Sequence, residues 1–192
     1  MTHRLTGVLC AVLALLSLNA RAVTLDFQSL EHVDALQTLH GTTYAEDGFT
    51  ITAPSLFSFG TLSAEYRGST ALRNGNQGTS TQLSADNGSA FNLVSIDLAE
   101  IDAGTATVGF TGFLAGGGTV TQSFTLDDSF TTGTGFETFV FSGFSDITSV
   151  KWDNGSPYHQ FDNIVASTVP LPAAVWLFGS GLLGLFGLSR RS

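Results

Sequence analysis

The chain has 192 residues, enough for one ordinary domain with short extensions, and its 43% hydrophobic content supports a packed core. All sixteen acidic residues fall between Asp26 and Asp162, where the only Lys or Arg side chains are Arg67, Arg73 and Lys151. Such a surface repels phosphate and excludes DNA and RNA as partners. The single cysteine, Cys10, leaves the rest of the chain without disulfides, thiolate metal sites or cysteine catalysis.

Residues 1–22 read as a secretory signal peptide. Arg4 supplies the basic start, residues 5–18 the apolar run, and Ala20-Arg21-Ala22 the small-x-small pattern that signal peptidase cleaves. The expected mature chain begins at Val23, and an uncleaved anchor is the alternative.

Residues 23–167 are rich in Gly, Thr, Ser, Phe and Val, and no window of helical length carries an i, i+3, i+4 apolar stripe. A short helix is expected only at about 31–38. Strands are expected at 24–28, 49–53, 79–83 and 91–98, then at 106–114 and 119–126 on either side of an Ala115-Gly116-Gly117-Gly118 turn. Further strands are expected at 136–141, 147–152 and 160–166, with Asp86-Asn87-Gly88 and Asp153-Asn154-Gly155 as turns. Many short strands without intervening helices predict an all-β fold, an antiparallel β-sandwich of jelly-roll type.

Few residues in this body carry chemistry. There is no Gly-x-Ser-x-Gly elbow, no His-Glu-x-x-His array and no phosphate loop, since Gly75-Asn76-Gln77-Gly78 lacks the lysine. His32 and His40 reach a common metal only if the fold joins them. Asp97, Glu100 and Asp102 crowd the end of one expected strand, and oxygen ligands at that density suit Ca²⁺. A solvated acidic rim is the plain alternative, and glycosidic acid–base catalysis would need two of these carboxylates to face each other across a cleft. Trp152, Tyr158, His159 and Gln160 flank the 153–157 loop, an arrangement able to stack on a sugar and bind its hydroxyls. Trp152 ends a strand, so a core position competes with that reading. Tyr66 and Arg67 are a second such pair.

The acidic residue of Leu25-Asp26-Phe27 and the closing Phe161-Asp162-Asn163-Ile164-Val165 loosely resemble the galactose-binding-like jelly rolls of carbohydrate-binding modules. The resemblance implies a structural calcium between first and last strands, with Asp26 and Asp162 the matching positions.

Residues 168–192 close the chain. Residues 171–188 carry no charge, are near the lower length for a membrane span, and are stopped by Arg190 and Arg191. Val169, Pro170, Leu171, Pro172 and Ala173, followed by the apolar segment and the arginine pair, resemble the PEP-CTERM sorting signal. Leu171 stands where the type motif Pro-Glu-Pro has its acid. The resemblance implies an exosortase partner, a Gram-negative host, and passage through the inner membrane to the cell surface or exopolysaccharide matrix; a permanent transmembrane anchor is the alternative. The expectation is a non-enzymatic surface or matrix protein, structural or polysaccharide-binding. A secreted glycan-active enzyme and a membrane-tethered adhesin are the alternatives.

Overall fold

The computed structural model describes residues 22–133 and 135–168. Apart from Ala22 and Thr168, the predicted signal peptide and tail lie outside these residues, with them the sorting motif and Arg190 and Arg191. Among the described residues no helix is long and apolar enough to cross a membrane.

The described chain is built of antiparallel strands: β1 (Ala22–Leu25), β2 (Gln37–Glu46), β3 (Phe49–Phe59), β4 (Arg73–Asn74), β5 (Ser80–Ala85), β6 (Phe91–Glu100), β7 (Thr107–Leu114), β8 (Thr119–Thr125), β9 (Glu137–Val140), β10 (Ile147–Asp153) and β11 (His159–Thr168). Only a 3₁₀ turn at Gln28–Leu30 and one α-helical turn at Ser129–Thr132 interrupt them. One run of neighbours is β1-β11-β6-β9 and the other is β2-β3-β5-β10-β7-β8, with β4 added to β3. Between β6 and β10 the two runs touch through a single pair, Ile147 and Phe91.

Alternation explains which faces meet. Phe49, Ile51 and Ala53 of β3 are buried while Thr50 and Thr52 are not, and β7 buries Val108 and Phe110 in the same way. The two inner faces then interlock through rings. Phe49 meets Phe91 edge-on at 5.2 Å, and Trp152 of β10 meets Phe161 of β11 at 5.1 Å and 88°. Each such pair adds about 1 kcal/mol beyond its buried area. This is sandwich packing, with the core between the two runs.

The expected strands are present with shifted ends and the two-residue β4 is added to them, but two larger features differ. No helix forms at 31–38. Backbone carbonyls there accept from the 60–62 segment instead: Gly60 N–H donates to Leu36 O, Thr61 N–H to His32 O and Leu62 N–H to Asp34 O. The Asp34 carboxylate takes the Leu36 N–H at 2.8 Å, a local bond that competes with helix. Gly60 is required here, because a Cβ would lie 2.3 Å from Asp34 O. The chain then enters β2, an edge strand not expected from sequence. Asp47-Gly48 returns it into β3, with positive φ at both residues (48° and 84°), as a two-residue hairpin turn demands.

Candidate functional site

Three of the four expected ligand-binding side chains are inside the protein. Trp152 stacks on Phe110 in the core, and His159 and Gln160 are 3% and 2% exposed. Gln160 is committed to Glu65 O at 2.8 Å. Burial pushes the His159 imidazole down to about 4, against the charge of Glu100, so it is neutral at pH 7. These three are structural residues and not a sugar platform. The inward phase of β10 buries Trp152, and β11 is covered on both faces from His159 to Asp162, so consecutive His159 and Gln160 are both enclosed; residue type alone reveals neither.

Tyr158 stays half-exposed, and its ring lies 5.2 Å from the Arg73 guanidinium. Phe57 and Phe59 of β3 each lie 5.6 Å from the same group. With its amide oxygen turned toward Arg73, Gln37 accepts from Nε at 2.8 Å and Nη2 at 3.2 Å. Arg73 is therefore packed among three rings, and this desolvation lowers its pKa. Tyr66 is half-buried, and Arg67 turns to Ala64 O at 2.7 Å and lies over Phe130.

The expected acidic cluster of Asp97, Glu100 and Asp102 is dispersed. Residues 97–100 of β6 pair regularly with 162–159 of β11, so Asp97 and Glu100, three apart, point to opposite faces. Asp97 sits across from Asp162, and its oxygens accept from Thr138 Oγ1 at 2.6 Å and Asn163 Nδ2 at 2.9 Å. Asp162 is fully buried, and burial, aided by the charges of Asp97 and Asp26, pushes its carboxyl up to about 6. Asp26 accepts the Gln28 N–H at 3.1 Å. Among the described residues these aspartates do not gather into a three-carboxylate group.

Glu100, Asp127 and Glu137 do, with one oxygen of each within 4.8 Å of the others. Glu100 is buried and its Oε1 accepts from Ala106 and Asp128 N–H, while Glu137 Oε1 accepts from Asp127 N–H at 2.9 Å. Asp102 is apart from them, accepting from Tyr158 N–H at 3.4 Å. His32 and His40 are near enough for His32 to depress His40, after burial, but their Nε2 atoms bond to Thr38 and Ser58 hydroxyls.

Strand register builds a surface that sequence reasoning missed. Across the outer face of the β2-β3-β5-β10-β7-β8 run, Thr43 pairs with Thr52, Thr52 with Gln82, Gln82 with Lys151, Lys151 with Thr111, and Thr111 with Thr121. Directly opposed residues point the same way, so six hydrogen-bonding side chains form one row. At about 4.8 Å per strand the row is roughly 24 Å long. A second row beside it runs Thr50, Ser84, Ser149, Phe113 and Thr119. The Lys151 ammonium stands 5.8 Å from the Phe113 ring. At one end the row sinks into an open groove of about 340 Å³ between Thr42, Thr43, Pro54, Ser80 and Lys151. The polar alternate positions were visible strand by strand. Their alignment was not, because β5, β10 and β7 are distant in sequence.

No family model and no curated protein sequence matches the chain. Among solved structures it is similar to two mutants of the CBM29-2 family 29 carbohydrate-binding module, one complexed with mannohexaose. Their identities are 10% and 12%, with a TM-score of 0.38 for each. The matches cover 78% and 79% of this chain and 93% and 94% of those chains. An enzymatically active domain of tailspike protein 4 from bacteriophage CBA120 matches at 10% identity and a TM-score of 0.27, over 74% of this chain but 20% of that one. These likenesses are too distant to transfer a residue or a ligand to this chain.

Proposed function

We propose that this is an exported, non-enzymatic β-sandwich that binds extracellular polysaccharide across its outer face. The observation that carries the reading is the register-aligned row of Thr43, Thr52, Gln82, Lys151, Thr111 and Thr121. A polysaccharide offers repeated hydroxyls along a line, and the row offers hydroxyls, an amide and one ammonium along a line of matching form. Lys151 is the chain's only lysine, and the ring of Phe113 beneath it is apolar surface on which a sugar face can rest. The enzyme alternative loses ground because Asp97 and Glu100 occupy opposite faces of β6.

Calorimetric titration against a panel of bacterial exopolysaccharides tests the site. Lys151→Ala is expected to weaken binding about tenfold or more, and Gln82→Ala about fivefold, the usual worth of a charged and a neutral hydrogen bond. Unchanged affinity in both variants would falsify this site. A loss confined to Tyr158→Ala would move binding to the Arg73 cluster.

In this proposal residues 168–192 act as the sorting signal, read by an exosortase at Val169, Pro170, Leu171, Pro172 and Ala173, with Arg190 and Arg191 as the membrane stop. The destination is the cell surface or the polysaccharide matrix of a Gram-negative bacterium.

A further inference from the structure

We infer that β8 is a homotypic docking edge: a second copy of this chain adds its own β8, antiparallel, and continues the sheet across a two-fold axis. Among the described residues, the strands hydrogen-bonded on one side only are β1, β2, β4, β8 and β9. Sheet edges invite strand addition unless they are short, kinked or charged. β1, β4 and β9 have four, two and four residues. β2 is longer, but its register shifts twice around Gly41 and it ends in Glu46. β8 has none of these protections. It is seven residues long, in unbroken register with β7, free of charge and proline, and every one of its residues is exposed or half-buried. The whole stretch 103–126 holds no charged residue, in a chain with sixteen acids elsewhere.

Ladder geometry identifies the open hydrogen-bonding groups. Leu114 N–H donates to Gly118 O, which sets the alternation of the β7–β8 ladder. Residues 120, 122 and 124 of β8 are then the ones bonded to β7. The N–H and C=O groups of Thr119, Thr121, Ser123 and Thr125 point away from it.

The occupant follows from self-complementarity, which a two-fold interface requires. Centred on Gln122, antiparallel pairing sets Thr121 opposite the second copy's Ser123 and Thr119 opposite its Thr125. These are the hydrogen-bonding positions on both strands. On the inner side it sets Val120 opposite Phe124, and Gln122, whose amide donates to Val140 O and accepts from Ser142 N–H within its own copy, opposite its counterpart. Apolar thus meets apolar, and neither strand carries a charge. The outer rows of the two copies then lie on one continuous sheet. This inference does not depend on sugar binding.

Sedimentation velocity of the full chain in non-ionic detergent, over a concentration series, tests it. The wild-type chain is expected to dimerise. Thr121→Pro deletes an outward N–H without touching the β7 ladder, and Thr121→Lys leaves the backbone whole but places two ammonium groups near the axis. Each variant, with folding checked by its melting temperature, should raise the dimer midpoint concentration at least tenfold. A wild-type monomer throughout, or a dimer indifferent to Thr121→Lys, overturns the inference. Open-ended polymers that both variants dissolve also overturn it, since they would mean that β8 pairs with a different edge of the next copy.

Discussion

Asp162 has no exposed surface, and its carboxyl is pushed from 3.8 to about 6, chiefly by burial and then by Asp97 and Asp26, against bonds from Ser69 and Asn163. Between about pH 4 and 6 the folded chain holds a proton that the unfolded chain has released. This contribution is therefore fully present below pH 4 and is lost as pH rises through 6. Asp162→Asn should remove that slope and raise stability at pH 7 by roughly 1–3 kcal/mol, as read from urea unfolding at several pH values. An unchanged slope would show that the side chain is ionised at little cost. Family likeness had paired Asp162 with Asp26, whereas the register adds Asp97, which lies far away in sequence. Trp152 shows the limit of reading single residues. An aromatic beside a loop suits a core or a ligand, and only the phase of β10 distinguishes them.

At the scale of elements, the corner where the end of β6, the segment after β8 and the start of β9 converge gathers Glu100, Asp127 and Glu137. Burial raises the Glu137 pKa, and the charges of Asp127 and Glu100 add to the effect. We propose this corner as a calcium site to be tested beside the Asp26–Asp162 pair expected from sequence, because its three carboxylates each offer an oxygen ligand. The melting temperature should then rise with millimolar Ca²⁺ and fall on chelation, and Glu137→Gln should abolish the shift. A melting temperature indifferent to both additions removes calcium from the account. Strand alternation was legible in the sequence wherever one face is buried, as in β3 and β7. β2 was not, because an edge strand with little burial on either face carries no period-two signal. The expected helix at 31–38 failed because Asp34 and the 60–62 segment take its hydrogen bonds, a tertiary partner that no local pattern contains.

Across the whole molecule, charge is distributed so that the body is acidic while one hairpin is neutral and the two predicted ends are apolar and weakly basic. The proposed sorting makes a definite expectation for the protein recovered from its own host. Intact mass should show a chain beginning at Val23 and ending between Pro170 and Ala174, with any attached group as added mass. A chain still running to Ser192 in the membrane fraction would instead make the tail a permanent anchor. The single lysine has a further consequence. Once the amino terminus is accounted for, every amine-directed reagent meets one side chain, and that side chain stands at the middle of the outer row. Acylation of Lys151 is thus a built-in footprint. Whatever shields that one nitrogen from a reactive ester, be it a glycan or a neighbouring molecule, declares where it sits without any engineered label.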